Sequence, residues 1–444
     1  MSKLHLLSGK CKLFVFILVF GLALQINSGG LVEASGKTVD RVSGTNRYDT
    51  SVKVSQQGWP EGADTVVIAV GDNFPDALAG APLAHKMNAP ILLVSKSSIP
   101  GDVNKEINRL NAKHAYILGG KSVISEEVAQ QLASMGIVVT RVAGKDRYAT
   151  AAKIAEIVGG NKAIITYGEN FPDSLAIASY AASKAIPILL TSTNVLPDST
   201  KKSLHQYDST IVVGGNKVVS DEVYRQLPSP KRITGSDRYD TATKVVKTLY
   251  SASGSSNTVV ATGESFADAL TGSVMAAKND EPIMLIESDS VPKVVKETIN
   301  NYNINNFTII GGTSVVSDHA VSMLTFDPTV IIETAKKYIG TPYKWGGTTP
   351  SGFDCSGYIG YVYNQHGINV SRTTTGMWNE NPRVNKPAIG DIVVFTTYKP
   401  GPSHVGIYMG DNKFIHSGDR GVEVTSMDNV YFKPRYLGAV RVLK

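Results

Sequence analysis

One signature occurs three times along the chain, at Arg41-Val-Ser-Gly-Thr-Asn-Arg47-Tyr48, Arg141-Val-Ala-Gly-Lys-Asp-Arg147-Tyr148 and Arg232-Ile-Thr-Gly-Ser-Asp-Arg238-Tyr239. Repetition at a period of about 90 to 100 residues means that one folded unit is built three times. Each copy continues with an apolar strand ending in glycine, then Asn73-Phe-Pro-Asp76, Asn170-Phe-Pro-Asp173 or Ser265-Phe-Ala-Asp268. A proline-led strand follows (Pro90-Ile-Leu-Leu, Pro187-Ile-Leu-Leu, Pro282-Ile-Met-Leu), and a last strand closes on Gly119-Gly120, Gly214-Gly215 or Gly311-Gly312. Short continuous apolar runs alternating with amphipathic stretches predict buried parallel strands joined by crossover helices.

The Asn/Ser-x-x-Asp element reads as a helix start, with Asn73, Asn170 or Ser265 as the cap and the acid near the positive end of the helix dipole. That local role is preferred over catalysis for Asp76, Asp173 and Asp268. The Arg-Tyr pairs admit two readings: buried structural contacts, or three copies of a polymer-binding site. The repeats hold no cysteine, and His85, His114, His205 and His319 do not occupy matching positions. The glycine pairs lack the Gly-Lys-Ser/Thr context of a phosphate loop. A binding array is the expectation, not a catalytic domain.

After Phe326-Asp-Pro-Thr the character of the chain changes. Ile331 to Gly340 has helical spacing, and Gly352-Phe353-Asp354-Cys355-Ser356-Gly357 leads into a second helical run ending near Gln365. Cys355 therefore belongs at a helix N-terminus, whose free amides favour a thiolate and can hold an oxyanion. His404 opens the alternating run His-Val-Gly-Ile-Tyr-Met, and Lys413-Phe-Ile-His416 returns after Gly410-Asp-Asn. With a three-residue loop, Met409 faces Lys413 and His416 faces Gly406, so both histidines share one face; a one-residue slip would separate them. In that register His404 serves as general base on Cys355 and His416 fixes its tautomer. A buried core cysteine and a zinc site are the competing readings. The second is opposed by the lack of a short ligand pair, so no metal or cofactor is expected.

Lys3, Lys10 and Lys12, the apolar run Leu13 to Leu24 and the A-x-A-like Val32-Glu33-Ala34 predict a signal peptide over residues 1–34. Its run is shorter than the roughly 20 residues that span a bilayer. Removing it takes away three lysines and one glutamate, lowering the formal charge from +6 to +4, compatible with anionic partners. It also removes Cys11, leaving Cys355 as an unpaired thiol in an exported chain, which favours a chemical role.

The repeats resemble the clostridial type 2 cell-wall-binding repeat over residues 38 to about 327, on the Arg-Tyr, Phe-Pro-Asp and Gly-Gly elements; Ala267 replaces the proline in the third copy. Residues 331–444 resemble the NlpC-type, papain-like cell-wall peptidases, through Tyr343-Lys-Trp-Gly-Gly, Phe-Asp-Cys355-Ser-Gly, Ser-His404-Val-Gly-Ile-Tyr and Phe-Ile-His416. Together these resemblances imply a multidomain chain. Three α/β modules with parallel sheets (38–140, 141–231, 232–327) would pack as a pseudo-trimer, ahead of an α+β papain-like domain with an antiparallel sheet (331–444). They also imply Cys355 as nucleophile, His404 as base, His416 as third member, and a substrate groove lined by Tyr343, Asp354, Ser356 and Arg372. Ser371 and Ile389 stand where the peptidase family usually has prolines, a departure at the groove edge. The expected function is a secreted, wall-anchored endopeptidase cutting peptidoglycan stem peptides between D-glutamate and the diamino acid. Its partners would be peptidoglycan and an anionic wall polymer; neither nucleic acid nor, after leader removal, membrane is expected. The alternative is a non-catalytic adhesin or wall-architecture protein, and the same residues would also serve acyl transfer to an amine.

Overall fold

Runs such as Val66-Val-Ile-Ala-Val70 and Ile91-Leu-Leu-Val94 have no polar face to offer water, and each forms a strand buried on both sides. A computed structural model describes residues 37–250 and 256–442; the expected leader lies outside the described residues. The first sheet runs Ile91–Val94, Thr65–Val70, His114–Leu118, Val138–Val142, all parallel. The second repeats this order with Ile188–Thr191, Lys162–Tyr167, Ser209–Val213 and Pro230–Ile233. The third has Ile283–Ile286, Asn257–Thr262 and Asn306–Ile310, and is completed by Thr38–Val42 from the first signature. Each signature strand thus completes the sheet of the preceding module, and the first completes the last. The sequence unit and the folded sheet are offset by one strand, which closes the three modules into a ring.

The motif residues converge at the C-terminal ends of the strands. Arg41 Nη1 donates to the carbonyls of Gly311 (2.8 Å) and Val316 (2.9 Å). Arg141 does the same to Gly119 and Ile124, and Arg232 to Gly214 and Val219. The second arginine of each signature reaches the carbonyl of the strand-ending glycine: Arg47 to Gly71 (2.6 Å), Arg147 to Gly168 (2.7 Å), Arg238 to Gly263 (2.5 Å). Both arginines therefore hold backbone in place. Tyr48 and Tyr148 donate their hydroxyls to Asp72 and Glu169.

The helices Gly80–Lys86, Pro172–Ser183 and Ala267–Lys278 pack on one another at the centre of the ring, with Phe74, Phe171 and Phe266 in mutual contact at centroid separations of 5.4, 5.8 and 6.3 Å. The expected asparagine caps do not form. The cap positions are Phe171 and Phe266, and Asn170 Oδ1 accepts only from the adjacent Phe171 N–H. Both helices start one residue later than expected, at Pro172 and at Ala267. Asp173 and Asp268 do lie in the first helical turn, where burial raises both carboxyls to about 6 against the opposing charges of Arg238 and Arg47.

Their carboxylates abut the first glycine of each pair. Gly214 has φ +121°, and a Cβ there would stand 2.7 Å from Asp173 Oδ2. Gly214→Ala is expected to destabilise the second module by about 1–3 kcal/mol through backbone strain alone, measured as a lowered denaturation midpoint; an unchanged midpoint would show that the loop relaxes freely.

In the last domain a six-stranded antiparallel sheet runs Arg383–Val384, Tyr436–Val440, Ile392–Phe395, His404–Gly410, Lys413–Gly418, Gly421–Ser426. The helix Cys355–Asn364 lies across its fourth and fifth strands. The preceding helix spans only Thr329–Lys336, ending short of the expected Gly340. The expected three-residue hairpin loop is also corrected. Gly410 faces Lys413 across a two-residue turn, Asp411-Asn412, both at positive φ, and a bulge absorbs Met409. Beyond the bulge Tyr408 faces Phe414 and Ile407 faces Ile415. Asp391 closes the turn from Ala388, is buried and takes a bidentate pair from Arg441 at 3.0 Å. Arg441 Nη1 also lies 3.2 Å from His319 Nε2 of the third module.

Candidate active site

Asp354 is the cap of the helix Cys355–Asn364, its Oδ1 accepting from Gly357 N–H at 2.6 Å. This places Cys355 in the first turn, 6% exposed. The backbone N–H groups of Val405, Ser356 and Cys355 itself face the sulfur, so the thiol sits against the start of the strand His404–Gly410. His404 Nε2 is 2.9 Å from His416 Nδ1, which leaves His404 Nδ1 as the nitrogen free to take a proton. The two rings bond each other, a geometry that does not aim both at a common metal.

An aromatic box surrounds the pair. Phe414 stacks on His416 at 4.8 Å, Phe432 meets His416 at 5.0 Å and His404 at 5.5 Å, and Phe395 closes the remaining side. Burial pushes His404 down to about 4, and burial together with His404 and Arg420 pushes His416 down to about 2. The thiol moves the other way. Burial, reinforced by the Asp354 carboxylate, raises Cys355 to about 11 against the pull of the nearby N–H groups. A thiolate favoured by the helix terminus was the expectation from sequence; desolvation outweighs the helix amides, and the resting pair is a thiol beside a neutral imidazole.

The remaining residues singled out from sequence gather beside Cys355. Arg372 forms a bidentate pair with Asp354, at 2.7 and 3.1 Å, and donates to Ser356 Oγ at 2.8 Å. Burial alone would raise the Asp354 carboxyl, but Arg372 and Gly357 N–H overcome it and hold it below the usual carboxylate range. Tyr343 bridges to Phe353, and burial, with the charges of Cys355 and Asp354, raises its hydroxyl to about 12. Trp345 is 74% exposed and meets Tyr398, itself 60% exposed, at 5.9 Å. Tyr398, Phe432 and Thr425 carry no motif of their own; cross-strand register reveals Thr425, and Phe432 reaches the histidines from the turn before Lys433–Arg435.

Residues 41–129, 141–224 and 232–321 match the family described as Cell wall binding domain 2 (CWB2), and residues 340–441 match the NlpC/P60 family. The chain is 36% identical over 290 residues to N-acetylmuramoyl-L-alanine amidase LytC of Bacillus subtilis (strain 168), covering 65% of this chain and 58% of the relative. It is 57% identical over 112 residues to the probable peptidoglycan endopeptidase LytE of the same organism, covering 25% of this chain and 33% of the relative. It thus spans well under two thirds of either relative. Among solved structures, Cwp6 from Clostridium difficile superposes with a TM-score of 0.61 at 29% identity, covering 65% of this chain and 48% of that one. With three such matches filling more than half of its length, the chain belongs to the CWB2 family of cell wall binding proteins and carries an NlpC/P60 domain behind its three repeats.

Proposed function

We propose that the protein is a wall-retained cysteine endopeptidase that hydrolyses peptidoglycan stem peptides at the bond between D-glutamate and the diamino acid. The observation that carries this reading is the hydrogen-bonded His404–His416 pair together with Cys355 at a helix N-terminus, its sulfur facing the backbone N–H of Val405, the residue after His404. His404 Nδ1 takes the thiol proton as Sγ attacks the scissile carbonyl, and the amides of Cys355 and Ser356 face the developing oxyanion. The imidazolium then returns the proton to the leaving amine. Water, activated by the same nitrogen, hydrolyses the thioester. Tyr343, Asp354, Ser356 and Arg372 line the groove, where the Asp354 carboxylate attracts the free amine of a stem peptide and Arg372 keeps it ionised. The three repeats hold the enzyme on an anionic wall polymer, raising its concentration at an immobile substrate.

A synthetic L-Ala-D-Glu-diamino acid-D-Ala peptide tests the bond. Two dipeptides, the second beginning with the diamino acid, are expected by mass spectrometry; an intact peptide or cleavage elsewhere would contradict the assignment. The titration has its own signature. A base that works in its neutral form and protonates only near 4 keeps kcat/KM level from about pH 5 upward, with loss only as pH approaches 4. An acid limb with its midpoint near 6.5 would show that His404 is not desolvated.

A further inference from the structure

We infer that Thr425 is a positioning residue of this site, supplying the acceptor that the histidine pair needs in the one tautomeric arrangement able to take the thiol proton; the inference rests on the proposed catalytic roles of Cys355, His404 and His416. In the sheet Phe414 faces Thr425 and His416 faces Glu423, so Thr425 is the diagonal neighbour of His416 on the same face. Its Oγ1 lies 3.0 Å from His416 Nε2, and the residue is 8% exposed. Phe414 and Phe432 cover the ring. The charged groups nearby are Arg420, which lowers the His416 pKa, and Glu423, paired with Arg420 at 2.7 Å.

Proton counting gives Thr425 its role. Only one hydrogen fits between His404 Nε2 and His416 Nδ1. For His404 to present a lone pair at Nδ1, its proton must be on Nε2 and be donated to His416 Nδ1. His416 then carries its own proton on Nε2, and the atom opposite must accept it: Thr425 Oγ1. The reverse arrangement puts the protons on His416 Nδ1 and His404 Nδ1, which occupies the nitrogen needed as base; the Thr425 hydroxyl can donate to His416 Nε2 there, so only the productive arrangement depends on its oxygen as acceptor. When His404 becomes an imidazolium the same donor chain persists, so the threonine oxygen also stabilises the charged state. Without that oxygen the productive arrangement leaves a buried N–H with no acceptor, and buried N–H groups tolerate this less well than acceptors tolerate a missing donor.

Thr425→Val keeps the side-chain volume and removes the acceptor; Thr425→Ser keeps the acceptor and removes a methyl group. In the full chain, Thr425→Val is expected to lower kcat about tenfold with little change in KM, and to move the nitrogen-15 signals of His404 toward the Nδ1–H tautomer. Thr425→Ser is expected to restore both. A Thr425→Val protein with wild-type kcat and tautomer, or a Thr425→Ser protein as impaired as Thr425→Val, would overturn the inference. His404→Ala, measured alongside, separates the two levels. If it is inactive while Thr425→Val is unimpaired, only this inference falls; if it remains active, the catalytic reading falls with it.

Discussion

Cys355→Ala is expected to lower peptidoglycan hydrolysis by at least about a thousandfold while leaving retention on walls unchanged. Without Sγ no thioester can form, and the helix amides and His404 that remain have no nucleophile to serve. The substitution removes one small side chain from the first turn of a helix whose cap, Asp354, stays bonded to Gly357 and Arg372, so the domain should keep its fold. The repeats have their own sheets and cores. Co-sedimentation with purified walls and release of soluble fragments read the two properties separately. Loss of both together would show that wall retention runs through the peptidase groove.

The second large effect is on stability. Residues 37–42 are remote in sequence from the strand they pair with: Thr38–Val42 forms the fourth strand of the third sheet, in register from Thr38 with Asn306 to Val42 with Ile310. Arg41 donates to two backbone carbonyls there and pairs with Asp318 at 3.1 Å. Hydrogen bonds from a charged donor each contribute about 1.5–3 kcal/mol, so Arg41→Ala should cost the third module roughly 2–4 kcal/mol. Deleting residues 37–42 should cost at least as much, by leaving Asn306–Ile310 as an open edge. Hydrogen exchange of the Asn306–Ile310 amides and the denaturation midpoint measure this. Unchanged protection after the deletion would mean that the ring does not depend on its closing strand.

Much of the architecture follows from period alone. Continuous apolar runs such as Ile188-Leu-Leu demand burial on both faces, hence parallel strands under helices, and alternation from His404 to Met409 put both histidines on one face. The offset between repeat and sheet was hidden, because a strand's hydrophobic pattern does not say which neighbour it pairs with. Capping by Asn170 failed because the helix starts one residue later than expected, as it also does at Ala267 where no proline stands. The two-residue turn at Asp411-Asn412 was hidden by a bulge, which changes residue count without changing the alternation beyond it. The thiol was misjudged because a helix terminus can be read from sequence, whereas the apolar cluster that buries Cys355 is assembled from distant segments, Ile331, Phe353 and Val405 among them. Thr425 was invisible for the same reason: its role exists only across a strand pair.

The most direct test of the account is to digest purified peptidoglycan with the protein and with its Cys355→Ala form, and to identify the released muropeptides by mass spectrometry. The account predicts fragments with new termini at one stem-peptide bond, between D-glutamate and the diamino acid, and none from the alanine form. Glycan or lactyl-amide cleavage products, or identical release by both forms, would contradict it.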